Sequence, residues 1–467
     1  MGIGINMSFC FTKFMRRSLV AFVAAFVSVG LLGGCSTMED MTDFDTPELP
    51  SLPKFSNPFA KPEAKLPGER ISVMTAKRGG GPDMDVSEAT AITALPAITV
   101  NTGWTQPGGK PDNAMGHLAL TGSLSTRWSA DAGRGSNKRS RVVASPIVYN
   151  GKVFTLDSRG RVSAFSQSSG GRVWSRKITP ATENDYEGYG GGLAIGDGRL
   201  YVATGYGRVY GLDPNSGNEL WVKSVGEPVR SSPTSSDGKI FTTTALGSFI
   251  CLNGEDGTEL WRYQGLPESA SLITNASPAV SGGLVIAPYP SGELIAFDIE
   301  SGQPVWTETL SSSRSNSSLS ALRNASRPVV SNGVVYAVGH GGRMIASSLK
   351  TGERLWMQNI KGVQAPWVAG GMVYVVDVSG ELMALTAKSG KLVWRTKLPG
   401  GGRWSGPVLA GGKLWAVSTK GMIVGVDGKL GSVTAKRSVG SKMGIAPVIA
   451  SGQMYVLTDK AKLLAFN

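Results

Sequence analysis

Histidine and cysteine are nearly absent from this 467-residue chain. The two histidines, His117 and His340, cannot build a histidine-rich metal centre, and neither stands in a recognisable catalytic triad pattern. The three cysteines, Cys10, Cys35 and Cys251, are too few for a disulfide framework and include no adjacent pair. Cys251 lies alone in the strand-like run SFICLNG and reads as a buried thiol. Acidic side chains are the scarcer charge, 34 against 47 basic, which leaves a net charge of +13. A basic secreted domain suits anionic lipid or an acidic protein face. No interleaved aromatic and basic motif speaks for nucleic acid.

Glycine, by contrast, is abundant, with 63 residues, and its placement is periodic. From Pro146 onward one unit is written repeatedly. The pairs Pro146/Trp174, Pro233/Trp261, Pro278/Trp306, Pro328/Trp356 and Pro366/Trp394 all share a spacing of 28 residues. Leu193/Trp221 and Pro407/Ala435 keep it with one partner replaced. Glycines recur five residues after the proline position, and fourteen and four residues before the tryptophan position. Such glycines mark hairpin turns, where positive φ is cheap for this residue alone. The segments between them, such as Val373 to Val376 and Leu382 to Leu385, are short and apolar, as strands buried on both faces are. Four strands per unit at this period predict an all-β, eight-bladed β-propeller of four-stranded antiparallel blades over residues 117–467.

The repeated tryptophans read as structural. Trp174, Trp221, Trp261, Trp306, Trp356 and Trp394 each end the outer strand of a blade, where the indole can dock on the next blade. Ala435 breaks the series, and the looseness of that contact is expected to be greatest there. The eighth unit, from Pro447, lacks a fourth strand, while Ser123 to Trp128 is a spare strand with the right ending. Pairing the two closes the ring, leaves no open edge and makes Trp128 the docking tryptophan of the eighth blade.

Upstream, Lys13, Arg16 and Arg17 precede an uncharged apolar run, Leu19 to Leu32, that is short for a membrane span. It ends in Leu32-Gly33-Gly34-Cys35, which resembles the lipobox of bacterial lipoproteins. That resemblance implies a signal peptide over residues 1–34 and a lipidated Cys35. Residues 35–70 are proline-rich and read as an extended tether. Residues 71–116 read as an extended segment packed on the propeller, anchored by Trp104.

The unit P-x₄-G…D-x-x-(S/T)-G-x-x-x-W, seen in Asp213-Pro-Asn-Ser-Gly-Asn-Glu-Leu-Trp221, resembles the PQQ-like repeat. With a lipobox, a short tether and eight compact blades, the chain looks most like the BamB family of outer-membrane assembly lipoproteins. The resemblance implies a non-catalytic scaffold at the periplasmic face of the outer membrane, lipid-anchored, bound to BamA POTRA domains and other components of the BAM complex, and in possible reach of nascent outer-membrane proteins. Docking in that family uses two adjacent inter-blade loops, which here precede Pro278 and Pro328. Leu272 matches an apolar family position, and Leu319, Leu322 and Arg323 are the candidates in the second loop. The family's acidic pair falls on Arg323 and Ala325, so its salt bridges do not carry over. The alternatives are a PQQ-dependent periplasmic dehydrogenase and a ligand- or cell-wall-binding propeller. Quinoproteins typically carry an adjacent-cysteine disulfide and a calcium held by carboxylate and amide oxygens. The chain has no cysteine pair, and the expectation is no cofactor and no metal.

Overall fold

The computed structural model describes residues 94–121, 124–265, 276–310 and 325–467. Among these residues there are strands and turns but no helix. Thirty-two strands form eight separate four-stranded antiparallel sheets, the blades of one ring. The first blade shows the plan. Its strands are β2 (Ile147–Tyr149), β3 (Lys152–Leu156), β4 (Arg161–Ser166) and β5 (Arg172–Lys177), in that spatial order. The short inner strand faces the ring axis. The two middle strands are buried between neighbouring blades, which is why their sequences run apolar instead of alternating.

The turn between the first two strands is built alike in every blade. Both central residues have positive φ, as in Asn150-Gly151 (45° and 70°) and Asp197-Gly198 (49° and 70°). This is the geometry of a type I′ hairpin, whose twist matches that of the strands it joins. The residue before the repeat glycine is Asn, Asp, Ser or a second Gly, the types that tolerate the left-handed region.

The eighth blade is closed as the sequence predicts. Strand β1 (Thr126–Asp131) pairs antiparallel with β32 (Lys462–Phe466), placing Trp128 opposite Ala465. Leu124 and Asn467 add two more backbone bonds at this seam, Leu124 N–H to Asn467 O and Asn467 N–H to Ser125 O, both 3.1 Å.

Six of the docking tryptophans donate their indole N–H to a backbone carbonyl of the next blade. These are Trp128 to Gln167, Trp174 to Pro214, Trp221 to Gly254, Trp261 to Ile299, Trp306 to Leu349 and Trp356 to Ala387, at 2.8–3.2 Å. Trp394 packs likewise on Gly431, although its N–H lacks a bonded partner among the described residues. Each such contact joins the burial of a large aromatic, about 1.5–3 kcal/mol, to a hydrogen bond of roughly 0.5–1.5 kcal/mol.

Inside seven of the eight blades the tryptophan ends a three-residue row across strands. Phe154, Ala164 and Trp174 are in register, as are Tyr374, Ala384 and Trp394, and Tyr455, Ala465 and Trp128. A small residue stands in the middle because two large rings flank it, 6.0 Å apart in the first row. Cys251 occupies the same middle position between Phe241 and Trp261. The seventh blade inverts the row to Trp415, Gly425 and Ala435. There the indole of Trp415 lies over Gly425, and the hairpin position of the following blade is filled by buried Leu124 at φ 58° instead of a glycine. At the site expected to be loosest, the Trp415 indole of the same blade thus lies beside Ala435.

Residues 101–118 run around the ring axis and bond to the inner strand of every blade. Trp104 exchanges two backbone bonds with Val148. Thr105 and the Gln106 side chain accept from Ile195 and Ser235, and Pro111 and Asp112 accept from Val280 and Val330. Gly116 accepts from the Trp367 indole, Leu118 pairs with Leu409 and Gly411, and Asn101 bonds to Ile449 and Ser451. His117 is held within this belt. Its Nδ1 donates to Pro96 O at 2.8 Å, and its Nε2 accepts from Gly412 N–H at 2.9 Å.

Candidate functional site

The sequence points to the loops before Pro278 and Pro328. Leu272, Leu319, Leu322 and Arg323 lie outside the described residues, as does Cys35. The two stems of these loops are described, and they meet at one residue. The first loop leaves strand β13 (Glu259–Gln264) at Gly265, which bonds to Gly247 O at 3.1 Å. A Cβ on Gly265 would stand 2.9 Å from the ring of Tyr289. The second loop leaves strand β17 (Pro304–Thr309) at Leu310, bonded to Gly292 O at 2.8 Å, and re-enters at Ala325, whose N–H donates to Tyr289 O at 3.3 Å. Tyr289 thus sits between both stems. It is 4% exposed, and burial raises its phenol above the usual range. The stems are neighbours because blades three and four are consecutive.

Charged side chains brace the stems. Arg262 donates to both Glu259 oxygens, at 3.0 and 2.8 Å, and lies 3.5 Å from Glu227 Oε1. That bidentate contact holds the Glu259 carboxyl below its usual value. Glu227 also accepts from Thr244 and Ser248. At the second stem Glu308, 7% exposed, is paired with Arg354, and Arg343 donates to Thr309 O at 3.2 Å. These groups are satisfied within the ring and act as rigid mounts. Tyr289 and Glu227 lie at turn positions and Arg262 within β13, and none of the three belongs to the repeated proline, glycine and tryptophan pattern.

The docking tryptophans fall where the sequence places them. They form the frame and not the site: Trp128, Trp174, Trp221, Trp261, Trp306, Trp356 and Trp394 are all turned onto the next blade's hairpin glycine. Among the described residues no three His, Cys, Asp or Glu side chains converge as metal ligands. Cys251 is free and fully buried, and burial pushes its thiol up to about 12. With no two cysteines adjacent in the sequence, an adjacent-cysteine disulfide of the quinoprotein kind has no counterpart here.

Comparison with known proteins agrees with this architecture. The profile of the family described as outer membrane protein assembly factor BamB matches residues 111–188, 158–396 and 378–467. A relative of that name from Xanthomonas campestris pv. campestris is 37% identical over 186 residues, 39% of this chain and 46% of that protein. The chain spans about half or less of the length of the curated relatives it matches, from 35% to 51%. The crystal structure of BamB from Moraxella catarrhalis superposes with a TM-score of 0.63 at 17% identity, covering 74% of this chain and 99% of that one. Quinohemoprotein alcohol dehydrogenase from Comamonas testosteroni has the same fold, with a TM-score of 0.62 at 13% identity and 82% coverage of each chain. With the family profile running across all eight blades, the chain belongs to the outer membrane protein assembly factor BamB family.

Proposed function

We propose that the protein is a non-catalytic scaffold of the outer-membrane β-barrel assembly machinery. An acylated Cys35 holds it at the periplasmic face of the outer membrane, and the loops spanning residues 266–275 and 311–324 dock POTRA domains of BamA. The match of the BamB family profile from residue 111 to residue 467 carries this reading. The shared footing of the two loops on Tyr289 supports it, because a single partner domain can then touch both. A hydrophobic anchor in each loop, Leu272 and Leu322, supplies the apolar contact that such interfaces centre on. Affinity capture from solubilised envelopes tests the reading. The wild-type protein is expected to bring down the POTRA-bearing barrel protein, and Leu272→Glu and Leu322→Glu are expected to lower its recovery. Capture of no such protein by the wild type overturns the proposal.

A further inference from the structure

Beside Trp104 of the axial belt lies a cavity of about 330 Å³. That volume lies within the usual range for small-molecule sites, roughly 300–1,000 Å³. Its lining comes from the residues that lead into the inner strands of several blades, including Arg141, Arg327, Arg403 and Trp404. Trp104 of the axial belt and Trp367 also line it, with their rings stacked 6.2 Å apart at 16°. The belt meets every inner strand, so a ligand here rests on a built floor.

The charge of the lining is one-sided in its pairing. Arg141, Arg327 and Arg403 have no ion-paired carboxylate among the described residues, whereas nine other contacts join Lys or Arg to acids elsewhere on the ring. Arg327 is half-buried, and its Nε is enclosed without a hydrogen-bond partner. Burial with no offsetting charge pushes its pKa down to about 10, so the guanidinium stays charged at neutral pH. The Trp104 indole N–H is a second enclosed donor without a partner. Both groups can only donate. The acids of the lining are Asp377, whose Oδ1 accepts from Ser379 and Glu381, and Asp459, whose carboxyl is raised by burial against the pull of Arg141, Lys442 and Arg403. Unpaired guanidiniums and donor-only groups around one enclosed volume call for an acceptor-rich, negatively charged occupant.

We propose that this axial cavity is a binding site for a small organic or inorganic polyanion bearing at least two oxyanion groups, carboxylate or phosphate. The guanidiniums grip the oxyanions, and the tryptophan pair forms the apolar floor. The proposal does not depend on what the docking loops bind.

Titration calorimetry on the full-length protein tests this, with citrate and pyrophosphate as separate probes and chloride as the control at matched ionic strength. Saturable one-to-one binding of either probe is expected, and which one binds distinguishes carboxylate from phosphate chemistry. Arg327→Gln and Arg403→Gln are each expected to weaken binding about tenfold. Arg403 is exposed, so its variant keeps the test valid should Arg327→Gln fail to fold. No saturable heat at about 10 mM of either probe, or equal affinity in wild type and Arg403→Gln, overturns the proposal.

Discussion

Trp128 donates its indole N–H to the Gln167 carbonyl at 3.0 Å, across the seam where the eighth blade meets the first. Its ring also covers Gly170, so that a Cβ on that glycine would lie 2.6 Å from the indole. The same pairing of a ring and a hairpin glycine recurs around the propeller, as in Trp174 with Gly217 and Trp356 with Gly390. Here it joins residues on either side of the ring closure.

Gly170 is constrained twice, by φ of 73° and by the indole above it. Gly170→Ala is expected to cost about 1–3 kcal/mol, and Trp128→Ala about 3–5 kcal/mol. The double variant should cost less than the two together, since removing the indole frees the space that the new methyl group needs. Urea unfolding of the four proteins checks the coupling. Strict additivity contradicts the contact.

Ala435 invites a substitution that the repeat recommends and the packing forbids. The Trp415 indole, which lies over Gly425 beside the Ala435 Cβ, already takes space that a tryptophan there would need. Ala435→Trp is expected to destabilise the ring by about 1–3 kcal/mol, measured by the midpoint of thermal or urea unfolding. A gain in stability would show that the seventh blade is under-packed.

Cys251 fills the small middle position that is alanine in the first and sixth blades, among others. Cys251→Ala should therefore cost only about 1 kcal/mol. The folded thiol titrates near 12, above the unfolded value of about 8.5. Its contribution to stability is fully present below about pH 8.5 and is lost as pH rises towards 12. Between pH 9 and 11 the wild type is expected to lose stability faster than Cys251→Ala, and in a form beginning at residue 36 the thiol should resist an aromatic disulfide reagent until the chain unfolds. Rapid reaction of the native protein at pH 8 contradicts this placement.

The belt of residues 101–118 satisfies inner-strand amides that would otherwise face the ring axis. The N–H groups of Val148, Ile195, Val280 and Val330 all donate to it. In a form lacking residues before Leu124, hydrogen exchange at these four amides is expected to accelerate, while the middle strands keep their protection. Unchanged exchange at all four positions would show that the belt does not cover the inner strands.

The fold was legible because a propeller repeats its physics. Turn glycines, buried middle strands and outer-strand tryptophans impose the same residues at the same spacing in blade after blade, and the spare strand carrying Trp128 completes the count, although each outer strand runs two or three residues beyond its tryptophan instead of ending there. The small middle residue of each row was hidden, because alanine, glycine and cysteine share size and not class. The belt was only partly legible. Trp104 marks it, but most of its bonds are made by backbone groups, which leave no side-chain signature. The arginines of the axial cavity are far apart in sequence, and Arg141, Arg327 and Arg403 converge only once the ring closes. The candidate partner-binding residues Leu272, Leu319, Leu322 and Arg323 lie outside the described residues, in stretches of sequence on which the repeat imposes nothing.

The central claim, that this ring is a docking scaffold, is tested most directly by titrating the purified protein with the isolated POTRA segment of the barrel-assembly protein from the same organism. The account predicts saturable binding that Leu272→Glu weakens about tenfold or more with no change in melting temperature. Absence of binding by the wild type, or binding unaffected by charge at both Leu272 and Leu322, would contradict it.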